Sequence, residues 1–194
     1  MGDRVIWFTA DEHIGHKNII KYSKRPYFDL TEMEVMLQVQ HNSRVREDDD
    51  VYHVGDMFWR TYGVENAINY VRHLNGRHWY VLGNHEELML ESEELRKCFS
   101  GVYVRHEIYP EGAPKHGIVL DHYAGRVWHD SDKGNWQLYG HTHNVLPEID
   151  PLLAMDVGVD ANDYRPVSLD EVKSRMEEKV ERIMRGLGVS TKTR

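Results

Sequence analysis

The amino-acid sequence predicts an α/β protein whose helices cover the faces of its sheets, and three observations carry the prediction. Short runs rich in β-branched and aromatic residues recur along the chain, each of strand length. Between them lie segments with apolar residues at helical spacing. No repeat, low-complexity tract or Pro/Gly/Ser linker interrupts the alternation, so residues 1–194 read as one domain. Chains of this length bury roughly 70% of their unfolded surface, enough for one core.

The first run, residues 5–9, opens the framework. Thr31 followed by Glu34 is a capping-box signature for a helix carrying Met33, Met36, Leu37 and Gln40. A second run covers 51–54, and Val64, Ala67, Ile68 and Val71 then mark a helix closed by the turn pair Asn75 and Gly76. Run 79–82 precedes a helix over 86–96, and 102–109 reads as one strand. Runs 118–120 and 136–139 come next, then a strand within 152–159. Ser168 with Glu171 opens the last helix, about 168–186, with Leu169, Val172, Met176, Val180 and Ile183 on one face and Gly186 as its stop. These stripes read as core faces, and the final Lys192, Thr193 and Arg194 as a frayed end.

Acids outnumber bases 32 to 24, a net charge of −8 that disfavours a general nucleic-acid coat protein. The single cysteine, Cys98, rules out an internal disulfide framework and fits a reducing compartment. The opening residues lack an apolar signal segment, and Ile6 stands where a myristoylation motif wants Ser or Thr. No apolar run approaches the ~18 residues of a membrane span. A cytoplasmic protein with no membrane partner is expected. The unusual count is histidine, with thirteen copies.

The five principal runs share one property at their carboxyl ends. Asp11 and His13 come after the first, and Gly55 and Asp56 after the second. Gly83, Asn84 and His85 come after the third, His122 after the fourth, and Gly140, His141, Thr142 and His143 after the fifth. Every run thus ends on an oxygen or imidazole ligand type, and ligands of α/β sheets collect beyond the carboxyl ends of strands. Imidazole with carboxylate and no thiolate suits Mn, Fe, Zn or another borderline divalent metal rather than a structural zinc knot. The spacings of Asp11 with His13 and of His141 with His143 place each pair on one side of an extended segment. Two such pairs and a shared Asp can hold two ions about 3.5–4 Å apart.

Asp11-x-His13, Gly55-Asp56, Gly83-Asn84-His85-Glu86, His122 and Gly140-His141-x-His143 resemble the five ordered motifs of the calcineurin-like metallophosphoesterase family. The match runs from residue 11 to residue 143, and residues 13–20 resemble the small phage and bacterial members. The resemblance implies two packed mixed β-sheets flanked by helices, a four-layer αββα sandwich. It implies that Asp11, His13 and His143 hold one metal, that Asn84, His122 and His141 hold a second, and that Asp56 bridges them. His85 matches the family histidine that donates a proton or hydrogen bond to the phosphate, and metal-bound water or hydroxide would be the nucleophile. The expected cofactors are two divalent ions, Mn first, with Fe, Zn or Ni as alternatives. Their charge would exceed that of Asp11 and Asp56, giving an acidic protein a local anion site.

Departures from the family pattern narrow the expectation. Protein serine/threonine phosphatases of this superfamily carry Gly-Asp-x-Val-Asp-Arg-Gly, whereas residues 55–61 here read GDMFWRT. Arg60 keeps the arginine of that motif and is a candidate phosphate clamp. His16 and Asn84 are further candidates for substrate binding. Asp156 and Asp160 read as turn or edge residues, and His41, His73, His78 and His106 carry no functional expectation. The expected activity is hydrolysis of a small or nucleotide-like phosphodiester, with His85 as general acid and nucleic acid not favoured as substrate. A phosphomonoesterase on the same site, or a catalytically silent metal-bound interaction module, are the alternatives.

Overall fold

The computed structural model describes residues 4–113, 117–147 and 151–187. It consists of two mixed β-sheets flanked by helices. The first sheet holds β1 (Ile6–Thr9), β2 (Asp50–Val54), β3 (Arg77–Val81), β4 (Val102–Tyr103) and β9 (Val167–Ser168) in the order β4-β3-β2-β1-β9. All its pairings are parallel except β1 with β9. The second sheet, β5-β6-β7-β8, is built from β5 (His106–Ile108), β6 (Ile118–Leu120), β7 (Trp136–Tyr139) and β8 (Ala154–Asp156), with only β5 antiparallel.

Strand alternation divides the buried side chains between two layers. Phe8, Val54 and Val81 from the first sheet meet Ile118, Leu120, Leu138 and Met155 from the second, forming the core between the sheets. A second core gathers Tyr80 with Met33 and Leu37 of α2 (Leu30–Arg44), Ala67 and Val71 of α3 (Val64–Arg72), and Leu88 and Leu95. Below the carboxyl ends of the strands this layer also buries a polar ladder. Glu12 bonds His53 Nδ1 at 2.8 Å, His53 Nε2 meets His78 Nδ1 at 3.1 Å, and His41 bonds the Asn75 carbonyl at 2.8 Å. The last helix, α6 (Leu169–Gly186), adds Val172 and Met176 to the intersheet core. No helix among the described residues is long and apolar enough to cross a membrane.

Local signals were realised unevenly. The Ser168–Glu171 capping box forms with both of its hydrogen bonds, and α6 ends at Gly186 as expected. The α2 cap is Asp29, which accepts from Glu32 N, so the helix starts before Thr31. A four-residue helix, α1 (Ile19–Tyr22), begins directly after Asn18. Residues 86–96 form two short helices, α4 (Glu87–Glu91) and α5 (Glu93–Arg96), because Ser92 is extended and caps the second. The single strand expected over 102–109 is two strands in different sheets, with Val104 and Arg105 at the crossing. The expected strand over 152–159 keeps only β8 and passes into a 3₁₀ turn at Val159–Ala161. The expected frayed end at 192–194 lies outside the described residues.

Candidate metal centre

Five parallel strands, β1, β2, β3, β6 and β7, end along one edge of the molecule. A parallel bridge between Ala10 and Gly158 ties the extension of β1 to that of β8 and aligns the two sheets. The loops leaving the strands bring seven side chains together in two groups. Asp11, His13 and His143 form the first, and Asp56, His122 and His141 the second; within each, one ligand atom per residue lies within 4.8 Å of the others. Asn84 Oδ1 joins the second group, 3.2 Å from His122 Nε2.

Asp56 stands between the groups, and its two oxygens have separate tasks. Oδ1 accepts the backbone N–H groups of Asn84 and His85, each at 2.9 Å. Oδ2 is left facing both groups, 3.4 Å from His122 Nε2 and 3.8 Å from His13 Nε2. Glycine makes the approach possible: a Cβ on Gly83 would lie 2.2 Å from Asp56 Oδ1, and one on Gly55 2.3 Å from His122 Nδ1. Asp11 accepts the His141 N–H on both oxygens, at 3.0 and 2.8 Å, locking the first and last motifs together.

The remaining ring nitrogens are oriented from behind. His122 Nδ1 bonds the Val54 carbonyl at 2.8 Å, and His143 Nδ1 bonds Asp160 Oδ2 at 2.7 Å, so both present Nε2 to the cleft. Asp160 is held by a two-point pair with buried Arg25, whose guanidinium also donates to the Asp11 and Glu12 carbonyls. Asp160 sits in the 3₁₀ turn, as expected from sequence, but its carboxylate also acts on the site. It fixes the tautomer of a candidate ligand. Asp156 accepts from Thr142 Oγ1 at 2.6 Å and from the Asn144 N–H, holding the 141–144 loop. Buried Glu86 collects the N–H groups of Asp56 and Gly83 and the Tyr80 hydroxyl on one oxygen, tying two motif loops together.

Three properties of these residues fit divalent cations. His13 is 2% exposed and neither of its ring nitrogens has a hydrogen-bond partner among the described residues, an omission that costs about 1–3 kcal/mol for a buried polar group. Burial holds its imidazole neutral, with a pKa of about 2. Asp11, His13, Asp56, His141 and His143 all have left-handed backbone, with φ from 46° to 69°. Such positions are strained for non-glycine residues and persist where the surroundings impose them. The third is charge. Burial lifts the Asp11 carboxyl to about 7, against the pull of His122 and His143. Burial works the same way on Asp56, but the hydrogen bond and charge of His122 outweigh it and hold that carboxyl well below its usual range. His122 rises correspondingly to about 9. Without cations, the Asp56 carboxylate draws a proton onto His122.

His141 and His143 do not share one side of an extended segment, contrary to the expectation from their spacing. Both are in left-handed turn geometry and their rings go to different groups, an arrangement that strand periodicity does not encode. Asp11 and His13 do fall in one group, again through left-handed backbone rather than pleating. His85 lies beside the first group, its ring centroid 5.6 Å from that of His13 and 4.8 Å from that of Trp59. His16 stacks on Trp59 at 3.8 Å, and exposed Arg60 places its guanidinium 5.8 Å from the Trp59 centroid. His129 and Asp130 make solvent-facing pairs with Glu107 and Lys133.

No family model matches the chain. It is similar to an uncharacterised protein of Methanocaldococcus jannaschii, 29% identical over 188 residues, covering 91% of this chain and 94% of that one. The gene 66 proteins of Mycobacterium phages L5 and D29 are each 27% identical, covering 86% and 89% of this chain and 91% and 96% of their own lengths. Among solved structures, a protein of unknown function from Aquifex aeolicus superposes with a TM-score of 0.69 at 23% identity, over 89% of this chain and 100% of that chain, which supports the fold.

Proposed function

We propose that the chain is a dinuclear metal-dependent phosphoesterase of the calcineurin-like type, acting on a phosphodiester of small or nucleotide-like character. The observation that carries this reading is Asp56, whose Oδ2 faces both ligand groups while Oδ1 is occupied by two backbone donors. Asp11, His13 and His143 would hold one cation, Asn84, His122 and His141 the other, and Asp56 both. The donor set of imidazole, carboxylate and amide oxygen suits Mn, with Fe, Zn or Ni as alternatives. When bound, two such ions lower the pKa of water and neutralise charge on phosphoryl oxygens.

The chain's own groups supply the rest. His85 is half-buried at the mouth of the first group, and its backbone N–H is fixed by Asp56, so its imidazole can protonate the leaving oxygen. Arg60, beside Trp59, offers a guanidinium fork to the phosphate. Trp59 and His16 wall the cleft on the side of His85. The single cysteine, Cys98, free and half-buried, fits a reducing cytoplasmic setting.

The test is a metal-stripped preparation restored with Mn²⁺ and assayed on bis-p-nitrophenyl phosphate and p-nitrophenyl phosphate side by side. Diester hydrolysis that returns only with metal is the expected result. Faster monoester hydrolysis would reassign the site to a phosphatase. No turnover of either ester with two ions bound would overturn the enzymatic reading in favour of a metal-bound interaction module.

A further inference from the structure

The cleft in front of the first ligand group is not the polar basin that phosphate chemistry alone requires. It encloses about 520 Å³, and its wall includes Trp59, His16, Tyr22, Ile19 and Val145 beside His13, His85 and His143. The indole of Trp59 and the imidazole of His16 stack nearly parallel, 5° apart and 3.8 Å between centroids. Tyr22 meets His16 edge-on at 6.2 Å and is 69% exposed, and Val145 is 80% exposed. The aromatic row therefore starts against His85 and ends in solvent.

The row is held in place from both sides. The Trp59 N–H donates to the Ile14 carbonyl at 2.8 Å, and the Ile14 N–H to the Met57 carbonyl at 2.8 Å, so the loops after β1 and β2 are zipped together. His16 N donates to the His13 carbonyl at 3.0 Å, fixing it one turn beyond a candidate metal ligand. A preformed stack of flat rings with an open apolar end is poorly suited to branched or alkyl groups. It suits a flat heteroaromatic ring, which gains stacking without ordering new side chains.

Building on the phosphoesterase reading, we propose that this cleft is a base-stacking subsite, formed by Trp59, His16 and Tyr22, for a nucleobase carried on the phosphoester substrate. Reach favours a nucleobase over a simple aryl ester. From His13 the rings of His16 and Tyr22 lie at successive spacings of 5.5 and 6.2 Å. A phenyl group on the ester oxygen ends at the first of these, whereas a base offset from phosphorus by a ribose extends to the second. The substrate class is then a nucleotide or nucleotide diester, read by stacking and hence tolerant of base identity.

The test is calorimetric titration of the full chain, supplied with Mn²⁺, with adenosine 5′-monophosphate, phenyl phosphate and methyl phosphate. The three share a phosphate and differ in the arm. Adenosine monophosphate should bind at least about 10-fold tighter than methyl phosphate, with phenyl phosphate between them, as expected for one stacked base. Trp59→Ala, and independently Tyr22→Ala at an exposed position that the fold does not need, should each cut that ratio by about fivefold or more. Equal affinities, or a ratio that survives both substitutions, would overturn the subsite. Phenyl phosphate matching adenosine monophosphate would overturn the nucleobase. Turnover of bis-p-nitrophenyl phosphate is measured in the same samples. Preference without turnover sinks the phosphoesterase reading and leaves the subsite standing, and turnover without preference does the reverse.

Discussion

Replacing Asp56 by Asn exchanges one oxygen for an NH₂ group of nearly the same size, and the surroundings dictate which one. The Oδ1 position receives two backbone N–H donors at 2.9 Å, from Asn84 and His85, so only the amide oxygen can occupy it. The NH₂ group is therefore forced into the Oδ2 position, which faces both ligand groups. An amide nitrogen there is a donor and cannot coordinate. Each cation loses one ligand and the site loses one negative charge. Changes to groups that merely orient ligands already cost about 10- to 100-fold in metal affinity, so loss of the bridge should exceed about 100-fold for both ions. The assay is Mn²⁺ titration by calorimetry, with metal content measured after gel filtration. Weakening of both sites together is expected. Two ions per chain retained by Asp56→Asn would refute the bridge, and loss of only one would show that Asp56 serves a single ion.

Other substitutions separate the remaining roles. His85→Ala should keep its metal content while bis-p-nitrophenyl phosphate turnover falls by about 10²- to 10⁴-fold, the usual contribution of a positioned acid; unchanged turnover removes His85 from the chemistry. Asp160→Ala leaves the Arg25 guanidinium without its carboxylate partner and His143 without its orienting bond. Urea denaturation of the metal-free chain should register a loss of about 3–5 kcal/mol, and Mn²⁺ affinity should fall about 10- to 100-fold; wild-type values for both would show that the pair is ornamental. Burial, reinforced by His53, holds His41 at a pKa of about 4. Unfolded His41 takes up a proton below about pH 6.5 while folded His41 stays neutral, so this stability is present above pH 6.5 and lost as pH falls towards 4. In His41→Gln the slope of unfolding free energy over that window should shrink by up to about 1.4 kcal/mol per pH unit. Parallel curves would mean that His41 protonates in the folded state.

The site was more legible than the fold around it. Ligand residues come directly after the strands in sequence, and parallel pairing brings the strand ends to one edge, so the seven candidates are nameable without knowledge of any contact. Periodicity failed where the chain leaves regular backbone. His141 and His143 turn through left-handed φ, which no alternation of side chains encodes. The split of 102–109 between two sheets was hidden because Val104 and Arg105 carry no turn residue, and it is long-range pairing, with Arg105 bonded to Asp121, that accompanies the crossing. Ser92 did signal the break between α4 and α5, since a serine before acidic residues is an N-cap pattern. Arg25 and Asp160 were missed as supports because they meet across 135 residues of sequence, and Glu86 because its tie to Asp56 spans 30. Only the position of Glu86 directly after Asn84 and His85 hinted at its role.

The most direct test of the central claim is the rate of bis-p-nitrophenyl phosphate hydrolysis as a function of Mn²⁺ bound per chain, starting from stripped protein. Two ion sites joined through Asp56 predict little activity at one equivalent and a steep rise as the second binds. Full activity at one equivalent, or none at two, would contradict the dinuclear account.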